Sequence, residues 1–149
     1  MPVDERTMRL IGQLQTDFGH RMYLWLNDCM AEKLPVYLVE GLRSFARSTE
    51  LYKQGRTQPG AIVTKAKAGQ SYHNFGLAVD CVLTDSHGQP TWEFNPTGPT
   101  WARVVTLAKG RGLAWGGDWK GFKDIPHFQS SKPPTLAECR RQWPTGYKA

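Results

Sequence analysis

Ser71-Tyr72-His73-Asn74-Phe75-Gly76-Leu77-Ala78-Val79-Asp80 sets a histidine and an aspartate seven residues apart, with a glycine between them. Neutral imidazole nitrogen and carboxylate oxygen both suit a divalent ion such as Zn²⁺. On a straight strand, residues an odd number apart face opposite sides. His73 and Asp80 therefore share a sheet face only if the chain turns between them, and Asn74 and Gly76 are turn-tolerant. Leu77 to Leu83 reads as a strand, apolar at nearly every position except Asp80. A carboxylate in such a run is expensive to bury alone, so it is either paired or holds a cation.

Two ligands need a third. The best candidate lies in Asp124-Ile125-Pro126-His127-Phe128, where an acid stands three residues before a histidine in a Pro-stiffened, extended segment. A catalytic zinc takes three protein ligands and a water, with a carboxylate nearby to accept the water's proton. The expected ligands are His73, Asp80 and His127, and the expected base is Asp124.

These segments resemble the zinc peptidases that cut bacterial cell-wall peptides. That group spans D-alanyl-D-alanine carboxypeptidases and dipeptidases and the L-alanyl-D-glutamate endopeptidases of phages and bacilli. The resemblance rests on Ser-x-His-x-x-Gly-x-Ala-x-Asp at 71–80 and on Asp124-x-x-His127. Gly41-Leu42-Arg43-Ser44 adds to it, being similar to the family's Gly-Tyr-Arg-Ser. Two further segments are similar to the endopeptidase branch: Leu51-Tyr52-x-x-Gly55-Arg56-Thr57-x-Pro59-Gly60 and Trp115-Gly116-Gly117-Asp118-Trp119. The likeness runs from about Val36 to Gln129. It implies an α+β fold of the hedgehog / D-Ala-D-Ala peptidase type: a small, mainly antiparallel sheet carrying one zinc, with helices flanking it. It also implies that Arg43 stabilises the oxyanion. The family often has glutamate where Asp124 stands and glutamine where Arg47 stands.

The length of 149 residues fits one domain, 1–149, with a tail from 130 to 149 and no separate wall-binding domain. The net charge of +6 favours an anionic partner, which nucleic acid, teichoic acid, anionic lipid and peptidoglycan all satisfy. The basic residues are scattered, and basic and aromatic residues do not interleave as in nucleic-acid binders. No nucleic-acid partner is expected. Cys29, Cys81 and Cys139 are odd in number and lack Cys-x-x-Cys spacing, so they read as reduced, buried residues. The start, Met1-Pro2-Val3-Asp4-Glu5, has no basic region followed by an apolar one, and no run is long enough to span a membrane. A wall-cutting protein of this kind would wait in a host cytoplasm for a membrane lesion, as phage endolysins do. It is expected to act as a monomer.

The remaining chain carries weaker signals. Met8, Ile11, Leu14, Phe18, Met22, Trp25 and Leu26 recur at helical spacing over about 4–31, with Gly19 as a possible break. Val36 to Glu40 reads as a strand delivering Arg43 into a loop. Ser48 is a candidate N-cap for a helix through Gln54, and Ile62-Val63-Thr64 a short strand. His20 and His87 read as surface residues. Trp92, Phe94 and Pro96 could wall a cleft. A helix is expected from Thr100, a brief strand at Leu113-Ala114-Trp115, and a capping box at Thr135-x-x-Glu138. Gly116 and Gly117 permit a tight backbone that can approach substrate. Ser71, Tyr72, Trp115 and Asp118 are candidate substrate contacts, and Asp118 also competes with Asp124 as base.

The expected reaction is hydrolysis of a peptidoglycan stem-peptide amide, at the L-alanyl-D-glutamate bond. Two rivals stand beside it: the same site acting on terminal D-alanyl-D-alanine, and a non-catalytic module with structural zinc. A purely structural site needs neither Asp124 nor Arg43.

Overall fold

The computed structural model describes residues 3–149; Met1 and Pro2, which open the stretch read for a leader, lie outside the described residues. Two helices come first, α1 (Glu5–Gly12) and α2 (Thr16–Ala31). Asp4 caps α1 by accepting from the Thr7 amide. The break falls at 13–15 and not at Gly19. Gly19 lies inside α2, where a Cβ would stand 3.1 Å from the Ile11 carbonyl, so its smallness serves helix–helix contact. The real break has a partner: Gln15 donates from Nε2 to the Phe75 carbonyl at 2.7 Å and from its amide to Gly76 at 3.0 Å.

Five strands form the sheet: β1 (Val36–Glu40), β2 (Ala78–Thr84), β3 (Pro90–Thr91), β4 (Leu113–Trp115) and β5 (His127–Ser130). The order is β1-β2-β5-β4, every pairing is antiparallel, and β3 pairs with the end of β2. Directly paired residues share a face. Leu38 pairs with Cys81, and Val79 with Phe128. With Leu83 and Leu113 they form the buried face that α2 and α4 (Pro99–Gly110) cover. Trp25 and Trp101 close on Phe128 with ring centroids at 4.6 and 5.7 Å. Cys29, Cys81 and Cys139 are buried and unpaired. Burial pushes the Cys29 thiol up to about 12, so it behaves as a small apolar group.

Two further local expectations change. Helix α3 spans Phe45–Lys53 and is capped by Ser44, not Ser48. Ser48 is buried inside the helix, where its Oγ accepts from Asn74 Nδ2 at 2.8 Å. Ile62-Val63-Thr64 forms no strand; no neighbouring strand reaches it, and Ile62 and Val63 are exposed.

The last helix, α5 (Leu136–Gln142), begins at the expected Thr135 cap. It packs on the segment leading into His73. Tyr72 donates its hydroxyl to the Pro134 carbonyl and Arg140 donates to Gly69, both at 2.8 Å. The Tyr147 amide reaches the Asn74 carbonyl at 3.0 Å, and Trp143 lies against Phe75.

Asn74 is the knot of this region. It is fully buried; its Nδ2 donates to Arg43 O and Ser48 Oγ, and its Oδ1 accepts from the Gly69 amide. Asn74→Ala strands several buried polar groups together. It is expected to cost about 2–4 kcal/mol. Urea denaturation measures this, and a loss under about 0.5 kcal/mol would show that the network is dispensable.

Candidate metal centre

The antiparallel register of β2 and β5 sets Asp80 directly opposite His127, so both side chains leave the same face. On the other flank, Glu40 of β1 pairs with Asp80, after an irregularity between Leu38 and Glu40. His73 reaches that face by the required turn. Tyr72–Phe75 is a 3-10 turn that ends at Gly76 in the left-handed region, φ 67°. A Cβ at Gly76 would also stand 3.0 Å from the Gln15 amide nitrogen, so glycine is needed on both counts.

Each imidazole is aimed by its second nitrogen. His73 Nδ1 lies 2.8 Å from the Gly41 carbonyl, which leaves Nε2 facing Asp80 Oδ1 at 3.3 Å. His127 Nε2 lies 2.8 Å from Gln129 Oε1, which leaves Nδ1 facing Asp80 Oδ1 at 3.7 Å. Such outer hydrogen bonds fix the tautomer that presents a lone pair to a metal. One ligand atom from each of His73, Asp80 and His127 lies within 4.8 Å of the others. Ligands about 2.0–2.2 Å from a tetrahedral zinc stand about 3.3–3.6 Å apart. The separations to Asp80, 3.3 and 3.7 Å, lie at and just beyond that edge length, and the donor set suits a zinc ion.

Charges around the trio are ordered. Arg43 donates from Nη2 to Asp80 Oδ2 at 3.4 Å and from Nε to Glu40 at 2.5 Å. Its Nη1 has no partner among the described residues. Burial alone would raise the Asp80 pKa, but the His73 charge and hydrogen bonds from both histidines hold the carboxyl well below its usual range. Burial works against protonating His127, yet Asp80, Gln129 and Asp124 together raise its pKa.

Asp124 lies 3.7 Å from His127 Nδ1 through Oδ2. Its pKa is raised, chiefly by burial, with Asp80 adding to the effect and His127 opposing it. The segment is braced from behind. The Asp124 amide donates to Gly116 at 3.0 Å, and Trp115 Nε1 donates to Ile125 at 2.6 Å. The tight glycine backbone therefore meets protein and not a cleft: a Cβ at Gly116 would fall 2.3 Å from the Asp124 carbonyl, and Gly117 lies under the Trp115 ring.

The trio opens into a cavity of about 840 Å³, also lined by Glu40, Arg43, Arg47, Ser71, Tyr72 and Asp124. Trp115 and Asp118 are not among its lining residues. Trp115 pairs with Phe128 and so takes the core face. Asp118 turns outward to Lys109 Nζ at 2.7 Å, half-exposed. The indole nearest the trio is Trp119, 4.9 Å from the His127 ring, and Trp92 also lines the cavity. Ser71 lines the cavity and also caps the turn, accepting from the His73 amide. His87 is exposed in its turn, as read from the sequence. Gln129 and Glu40 have no site reading from the sequence, and Asn74 only that of a turn residue. For Gln129 alone there was a signal, since it follows His127 by two on one strand face.

Residues 64–130 match the family model described as D-alanyl-D-alanine carboxypeptidase. The chain is 50% identical over 101 residues to the peptidoglycan L-alanyl-D-glutamate endopeptidase CwlK of Bacillus subtilis (strain 168). That match covers 64% of this chain and 60% of CwlK's length. It is 37% identical over 60 residues to the L-alanyl-D-glutamate peptidase of Listeria phage A118, covering 40% of this chain and 21% of that protein. Among solved structures, the Serratia marcescens L-Ala D-Glu endopeptidase ChiX superposes with a TM-score of 0.63 at 25% identity. The superposition covers 97% of this chain and 94% of ChiX. With the His-Asp-His trio on the sheet, these likenesses make the chain similar to the D-alanyl-D-alanine carboxypeptidase family over residues 64–130 and to peptidoglycan L-alanyl-D-glutamate endopeptidases such as CwlK, of which it spans 60% of the length.

Proposed function

We propose that this chain is an endopeptidase with one zinc per molecule that hydrolyses the L-alanyl-D-glutamate bond of peptidoglycan stem peptides. The observation that supports it most is Asp124. Burial raises its pKa, and it stands beside three convergent metal-ligand atoms on the wall of an open cleft. A structural zinc site would need no such neighbour. The choice of bond follows what CwlK and the phage A118 protein are named for.

Zinc held by His73, Asp80 and His127 would supply Lewis acidity, polarising the scissile carbonyl and acidifying water. Asp124 takes the proton from the attacking water as its oxygen bonds to the carbonyl carbon. Arg43 offers its unpartnered Nη1 to the charge that builds on the carbonyl oxygen, while Glu40 and Asp80 hold the guanidinium in place. The C–N bond then breaks, and Asp124 passes its proton to the leaving amine. Ser71 and Tyr72, on the cavity wall, are the nearest candidates to hold the peptide. The likeness to a phage protein supports a role in host lysis, with release from the cytoplasm to the wall.

Digestion of purified peptidoglycan should expose new D-glutamate amino groups; release of free D-alanine instead would assign the terminal D-alanyl-D-alanine bond. Asp124→Ala should lower turnover by about 10²–10⁴-fold while zinc content stays at one per chain. Unchanged hydrolysis removes Asp124 from the reaction. Chelation should abolish activity and lower Tm, since zinc at 100 times its Kd stabilises by about 2.7 kcal/mol.

The raised pKa of Asp124 also has a sign in the metal-free protein. Its contribution to stability is fully present below the ordinary value of 3.8 and is lost as pH rises through the higher folded value. Asp124→Asn should therefore raise the Tm of metal-free protein at pH 7, and the gain should vanish near pH 3–4. A loss of Tm at pH 7 would contradict the burial-driven shift.

A further inference from the structure

Among the described residues, six large apolar side chains are exposed: Met8, Tyr23, Ile62, Val63, Trp92 and Phe122. Three of them, Val63, Trp92 and Phe122, line the metal cleft together with Trp119. Trp92 is 63% exposed and Phe122 54%. They come from separate parts of the chain. Trp92 follows β3 directly, and Phe122 lies between the second 3-10 turn (Gly116–Asp118) and β5. Lys65 Nζ stands over the Phe122 ring at 5.2 Å, joining the 61–66 loop to that wall. Leaving large rings open to water forgoes about 25 cal/mol for every Å² of apolar surface that burial would remove. Convergence of such rings on one cavity marks a surface that a ligand covers.

We propose that this aromatic wall, centred on Trp92 and Phe122, is a subsite for the muramic sugar to which the stem peptide is attached. The inference rests on the proposed cleavage of the L-alanyl-D-glutamate bond. On the L-alanine side of that bond the peptide itself offers only one methyl group and amides, too little to cover an indole and a phenyl ring. The L-alanine nitrogen, however, is acylated by the lactyl group of the sugar. The pyranose therefore lies one short linker from the scissile carbonyl, roughly two residue lengths, or about 7 Å, along the chain. Its C–H face is weakly polar and flat, and it meets the electron-rich face of an aromatic ring favourably. The wall is continuous with the metal cleft, so sugar and scissile bond occupy one cavity. Its volume of about 840 Å³ lies toward the upper end of the ~300–1,000 Å³ typical of ligand pockets, room for more than a dipeptide.

The test compares one stem peptide carried in two forms, with its L-alanine nitrogen bearing either N-acetylmuramic acid or a plain acetyl group. Wild-type enzyme should show a kcat/KM about 10-fold or more higher for the muramyl form, with the difference mainly in KM. Trp92→Ala and Phe122→Ala should each remove most of that preference while leaving the acetyl peptide within about 2-fold of wild type. Trp92→Phe should retain most of it. Equal rates on the two forms by wild type, or equal losses on both in Trp92→Ala, would overturn the sugar subsite and leave the hydrolase intact. Failure of wild type to cleave either form would overturn the endopeptidase reading itself, and the subsite with it.

Discussion

A carboxylate stands in the middle of a strand whose neighbours on both sides are buried. In β2, Val79 and Cys81 face the packed side and Ala78 and Val82 are also closed to solvent, yet Asp80 lies between them. An ionised group there is tolerable only with compensation close at hand. Two imidazoles take one oxygen and a guanidinium takes the other. Every element around the site can be understood as delivering one of those partners. β5 brings His127 by register, the 3-10 turn brings His73, and the turn after β1 brings Arg43.

That delivery is secured by backbone contacts more than by side-chain packing. The Arg43 amide donates to the His73 carbonyl at 2.9 Å, and Gly41 accepts from the His73 ring. Gln15 holds the carbonyls of Phe75 and Gly76 from the α2 side. The C-terminal segment holds Asn74 from the opposite direction. The family model stops at residue 130, but the stretch beyond it closes over the turn that aims His73. A site of this kind needs its ligands preplaced to a fraction of an ångström, and such placement comes from the layer behind the ligands.

Much of this was legible from residues alone because the decisive signals are local or periodic. The apolar run of β2 with its single acid, the turn chemistry of Asn74 and Gly76, and the Asp124-x-x-His127 spacing each need only a few neighbours to interpret. What escaped depends on contacts between distant segments. Ser44 and Ser48 satisfy the same capping preference. The choice between them is made by Asn74, 26 residues downstream, which claims the Ser48 hydroxyl. Trp115 sits beside glycines in a motif that suggests substrate contact, but its pairing with Phe128 fixes it to the packed face. Asp118 is the next acid before Asp124 in the sequence, yet Lys109 draws it outward. Ile62-Val63-Thr64 has strand chemistry and no strand to pair with, a condition that propensity cannot detect.

The two carboxylates of the site show how environment, not residue type, divides the labour. Asp80 and Asp124 begin from the same intrinsic acidity and both lie near His127. Asp80 is met by two histidines, which hold its carboxyl well below the usual range despite its burial, and by Arg43 on its other oxygen. Asp124 sits where burial is the leading influence and its nearest cation is also shared with Asp80, so its proton is held more tightly. Paired acids driven in opposite directions are the mark of a site that must both hold a cation and move a proton. A structural metal site would gain nothing from the second acid, which costs stability when ionised in the metal-free fold. Its place beside an open cleft is therefore hard to account for by folding alone, and fits the role of base proposed for it.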